Sequence, residues 1–149
     1  MPDNAPLGST ALLLVALLGS AAAQPPAGDP ERGRALLLQR HETGCILCHR
    51  VSGIAQGGDL GPPLAGIAQR LQVDDIRARI ADARRFNRET LMPPYFSTTG
   101  LHAVAPDYVG KTLLTEQGLA DIVAYLVQPP SAVPAAPAGP IREAPDGRR

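Results

Sequence analysis

Tryptophan is absent, and the aromatic complement is limited to Phe86, Tyr95, Phe96, Tyr108 and Tyr125. Aromatic side chains normally supply much of the buried area of a small core. A folded unit of about 100 residues is already near the size at which burial becomes marginal. A large planar apolar cofactor would make up that deficit. Charge of one sign is also missing: formal net charge is zero, and Lys111 is the single lysine. No basic surface of the kind that binds nucleic acid follows from such a balance. Alternating strand patterns are absent as well, so the reading is all-α with long loops. Loops of that length need something to pack against.

The chain has 149 residues and reads as one domain between two terminal segments. Residues 11–18 (ALLLVALL) form an apolar run of signal-peptide length, too short to span a bilayer. Small residues follow, placing a cleavage site after Ala23, and the expected signal is 1–23 with a short linker at 24–28. The run lacks the preceding lysine or arginine that export signals usually carry. Residues 128–149 are rich in proline and alanine without apolar periodicity, which is the composition of a disordered tail. The folded unit is therefore expected over 29–127, exported, with no membrane span in the mature chain.

Within that unit, Asp29 and Pro30 start a helix that should run to about Arg40. Val73, Ile76, Ile80 and Ala83 mark one face of a second helix across 73–86. Thr115 is the expected N-cap of a last helix, with Leu114 and Leu119 spaced as a hydrophobic staple. Between them, 52–66 carries five glycines and two prolines and cannot be regular. Residues 87–100 form a second loop, kept from helix at Met92 by Pro93 and Pro94.

The chain's two cysteines fall together, in Cys45-Ile46-Leu47-Cys48-His49. A redox dithiol of this spacing needs a βαβ setting, which is absent. Zinc needs four ligands, and only His41 and His102 remain beyond the motif, at unhelpful spacing. A disulfide closing so short a loop contributes little. Haem attachment uses every residue: two thioethers from Cys45 and Cys48, with His49 as axial ligand. One covalent haem c is the expected cofactor.

Met92 is the expected sixth ligand, because Met1 would leave with the signal and no other methionine exists. His102 is the alternative, giving a bis-histidine iron of lower potential. The Pro62 carbonyl is placed to accept a hydrogen bond from the His49 ring and fix it, or else Pro62 merely shapes the loop. Tyr95 and Phe96 are expected to pack at the haem edge. Arg84, Arg85 and Arg88 could meet haem propionates or an acidic partner, or form a solvated face.

These elements together resemble a class I cytochrome c: first helix, CxxCH, a GP-x-L loop, a methionine loop, and a last helix crossing the first. The resemblance implies a small residue on the first helix meeting an aromatic on the last, here Gly33 and Tyr125. More closely, RFNRETLMPPY, GKTLLT and GDLGPPLAG resemble the SoxX family, the monohaem subunit that pairs with SoxA in thiosulfate oxidation. The likeness spans 29–127. Members tend to carry proline after the asparagine, where this chain has Arg88. The resemblance implies a heterodimer with a SoxA-like cytochrome, joining thiosulfate to a cysteine of the SoxYZ carrier in the periplasm. Electrons would pass to a downstream cytochrome c, and no residue here beyond the haem site would be catalytic. A free-standing cytochrome carrier is the alternative.

Overall fold

The computed structural model describes residues 25–129 and Ala132. The expected signal segment and nearly all of the expected tail lie outside the described residues. Four α-helices are found among the described residues: α1 (Pro30–Leu38), α2 (Cys45–Cys48), α3 (Val73–Ala81) and α4 (Glu116–Leu126). Single 3-10 turns occur at Ile67–Gln69, Ala83–Arg85 and Pro106–Tyr108. No strand is present in these residues, as the absence of alternation requires.

Local sequence sets the starts of α1 and α4 and the end of α1. The Asp29 side chain accepts from the Arg32 amide, and Pro30 opens α1. The Thr115 hydroxyl accepts from the Gly118 amide at 3.0 Å and opens α4. Leu114 and Leu119, flanking that cap, are both buried. α1 stops at Leu38, short of Arg40, because Thr43 turns the chain there. Its hydroxyl donates to the carbonyls of Leu36 and Gln39, and the amides of Thr43 and Gly44 also reach Gln39.

The second helix is shorter than its periodicity predicts. Asp82 leaves helical geometry (φ −158, ψ 94), and its carboxylate caps the Arg84 amide of a new 3-10 turn. An aspartate that can bond to nearby amides competes with the helix it sits in. Ile76, Ile80 and Ala83 are buried as expected, but Val73, in the first turn, is half exposed.

α1 and α4 cross at backbone contact. A Cβ on Gly33 would overlap the carbonyl oxygen of Asp121, and the next nearest atoms are also α4 backbone. Gly33 thus sits directly on α4 backbone, and one turn further along α4 the buried Tyr125 donates its hydroxyl to Ser52 O at 2.7 Å. Residues ahead of α1, read as a linker, are docked too: Gln117 Nε2 donates to Ala27 O at 2.8 Å. Leu37, Ile76, Leu119 and Ile122 form the most deeply buried layer between the helices.

A charged network locks this crossing. Asp121 is buried on α4, yet it accepts from the Asp29 amide (2.7 Å), Arg32 Nε (2.8 Å) and Gln117 Nε2 (2.8 Å). The Arg32 hydrogen bonds hold its carboxyl at about 2, below the ordinary 3.8. A folded-state value below the unfolded one stabilises the fold above the ordinary carboxylate range. That contribution is lost as pH falls toward the folded value. Arg32 is more than half exposed, so screening reduces it to on the order of 1–2 kcal/mol. The stability gap between the natural chain and Asp121→Asn should narrow between about pH 5 and about pH 2, measured as urea midpoints. A gap that stays constant across that interval would refute the assignment.

Candidate functional site

The one-turn helix α2 holds both cysteines and delivers His49 at its end. Segment 58–64 lies alongside residues 46–50, in the same direction, through three backbone bonds: Gly58 N to Ile46 O, Gly61 N to Cys48 O, and Leu64 N to Arg50 O. This pairing brings Pro62 over the imidazole, and His49 Nδ1 lies 2.7 Å from Pro62 O. A carbonyl can only accept, so Nδ1 carries the proton and Nε2 is the nitrogen left with a lone pair for a metal. Gly61 lies against the same ring: a Cβ there would collide with the imidazole. Glycine at 61 and proline at 62 thus set the plane and the tautomer of His49.

These residues face a cavity of about 670 Å³. That volume falls within the roughly 300–1,000 Å³ of sites that enclose a cofactor-sized molecule. Its walls are mainly apolar, with Leu37, Leu64, Ile67, Ile76, Ile80 and Ile122 among them. Cys45, Cys48, His49, Pro62, Met92 and Tyr95 all line the same space, although they come from separate stretches of sequence. His41 and His102, both exposed, do not line it. Nor does Phe96, expected beside Tyr95; it packs against the core, with its amide bonded to Ala81 O.

The Met92 loop is built from local bonds. Thr90 Oγ1 accepts from the Met92 amide at 3.2 Å, and Asn87 Oδ1 accepts from the Glu89 amide at 3.0 Å. Beyond Pro93 and Pro94, the Tyr95 ring is buried and its hydroxyl donates to Thr43 O.

Charge at the cavity comes from residues that sequence reasoning passed over. Arg84 is engaged by Asp82, at 2.8 and 2.7 Å, and Arg85 and Arg88 are exposed; none of the three lines the cavity. Arg70 and Arg79 do. Arg70 is held by the carbonyls of Ala65 and Pro63. Arg79 stacks over Phe86 at 4.1 Å, and its Nε is buried without a hydrogen-bond partner among the described residues. The signal for Arg79 was its spacing: Ile76, Arg79 and Ile80 share one face of α3.

The competing chemistries fit poorly. Cys45 and Cys48 are not bridged to each other. Burial pushes the Cys45 thiol up, whereas a reactive dithiol needs a lowered one. Among the described residues, no group of three or more His, Cys, Asp or Glu could hold a metal ion such as zinc. An apolar slot with two thiols, an imidazole, a thioether and an arginine whose buried Nε is unpaired suits a porphyrin with acidic edge groups.

A family model described as cytochrome c matches residues 30–129. The chain belongs to the cytochrome c family. Membership implies covalently bound haem c, and the Cys45/Cys48 spacing fits one such attachment motif. Among solved structures, this cytochrome c is similar to a chain in the crystal structure of SoxXA from P. pantotrophus. Identity is 26%, covering 69% of this chain and 82% of that one, with a TM-score of 0.61. Fold and likeness together support a SoxX-type class I cytochrome c. No curated protein matches the chain. No helix among the described residues is long and apolar enough to cross a membrane.

Proposed function

We propose that this cytochrome c is the electron-transfer subunit of a SoxAX-type complex, which oxidatively joins thiosulfate to a cysteine of a SoxYZ-like carrier. The observation that carries the reading is the SoxXA likeness, which extends over 82% of the matched chain. In this assignment Cys45 and Cys48 hold the cofactor through thioethers, and His49 Nε2 and Met92 Sδ are the iron ligands. When bound, haem supplies reversible one-electron transfer at iron.

Each of this chain's residues then has a defined task. The Pro62 carbonyl draws on the Nδ1 proton of His49, which raises the basicity of Nε2 and fixes the ring. Pro93 and Pro94 stiffen the backbone beside Met92, whose neutral thioether binds ferric iron weakly without such preorganisation. Arg79 offers its unpaired Nε to an acidic edge group. Tyr95 and the aliphatic wall exclude water. With both cysteines of the chain committed to attachment, the thiol that handles substrate belongs to the larger, SoxA-like partner. Residues 1–23 are the export signal, 29–127 the cytochrome domain and 128–149 a tail, which places the complex in the periplasm.

Affinity purification of the tagged holoprotein from periplasmic extract tests the reading. A second, larger c-type cytochrome should be recovered in equal amount, together with thiosulfate- and carrier-dependent reduction of a soluble cytochrome c acceptor. Recovery of the haem protein alone would instead indicate a free-standing carrier.

A further inference from the structure

Tyr95 links the two sides of the site. It follows Met92 by three positions, separated only by Pro93 and Pro94, so the two residues are joined by a short, stiff backbone. Three bonds fix that end of the loop: Leu114 N donates to Tyr95 O, Phe96 N donates to Ala81 O, and the Tyr95 hydroxyl donates to Thr43 O. The first two tie the loop to the start of α4 and the end of α3. The third reaches across 52 positions of sequence to the residue two before Cys45. Thr43 is itself rigid, since its hydroxyl is bonded to both Leu36 O and Gln39 O at the end of α1.

We propose that Tyr95 is a positioning residue, a latch that sets the Met92 loop in register with the Cys45–His49 turn and so limits how often the thioether leaves the iron. This rests on the assignment of Met92 as ligand. The Cys45 thiol also points at Thr43 O, at 3.9 Å. A carbonyl oxygen has two lone pairs, so the Tyr95 bond to Thr43 O forms beside that contact and does not depend on it.

The probe is imidazole, which competes with a methionine ligand for ferric iron. Tyr95→Phe keeps the buried ring and removes only the hydroxyl. Its holoprotein should bind imidazole about tenfold more tightly than the natural holoprotein, the effect of losing one buried hydrogen bond. Its far-red thioether-to-iron band should also weaken.

Tyr125→Phe is the comparator. Its hydroxyl also donates to a backbone carbonyl, Ser52 O at 2.7 Å, but Tyr125 does not line the cavity. It should lower the thermal midpoint while leaving imidazole affinity unchanged. Tyr95→Phe within about twofold of the natural affinity, or equal gains in both variants, overturns the latch. A natural holoprotein without the far-red band sinks the Met92 assignment and the latch with it. A natural protein that shows the band, beside an indistinguishable Tyr95→Phe, sinks the latch alone.

Discussion

A Gly33→Val chain is expected to lose most of its folded population. The added Cβ would overlap the Asp121 carbonyl, which is backbone and cannot rotate aside. Relief requires α1 and α4 to separate, and overpacking of this kind costs about 1–3 kcal/mol, more when backbone must move. Separation also draws Arg32 away from Asp121 and forfeits that screened pair, on the order of 1–2 kcal/mol. The two together reach the lower end of the stability of a small domain, about 5–15 kcal/mol. Denaturant titration of the holoprotein, followed by circular dichroism, gives the readout. A midpoint indistinguishable from that of the natural chain would mean that the helices slide past the contact and that the crossing is not fixed by Gly33.

Met92→Ala should have the largest effect on the proposed chemistry. The far-red thioether-to-iron band should vanish completely, while covalent haem content stays unchanged because Cys45, Cys48 and His49 are untouched. The reduction potential should fall, since a methionine ligand raises it relative to oxygen or nitrogen donors. Global stability should change less, because Met92 is only partly buried against the core cluster. Persistence of the band in Met92→Ala would refute the ligand assignment. If His102 were the sixth ligand, its replacement and not that of Met92 would change the spectrum, although the structure keeps His102 out of the cavity wall.

What the sequence disclosed well was chemistry written in contiguous residues. Cys45, Cys48 and His49 declare themselves by spacing, and Asp29 and Thr115 declare helix starts by residue type and position. Met92 stood out because almost nothing else could compete with it. Contacts made at long range were illegible for a physical reason: no local pattern encodes which distant carbonyl a hydroxyl will find. The Tyr95–Thr43 bond spans 52 positions and the Tyr125–Ser52 bond spans 73. Arg79 was overlooked beside the denser Arg84–Arg88 cluster, which the structure turns outward or pairs with Asp82. Ending the second helix at Asp82 needed a judgement between periodicity and a side-chain cap, and periodicity alone predicts the longer helix.

The clamp between Arg32 and Asp121 joins positions 89 apart, near opposite ends of the folded unit. As the chain emerges with its N-terminus first, α1 lacks its main packing partner until α4 follows. Closure over so long a loop comes late and cannot proceed in pieces. Throughout that interval the pocket beside the Cys45–His49 turn lacks the wall that Ile122 and Leu126 give it. The last helix to be made is thus the one that completes the cofactor pocket.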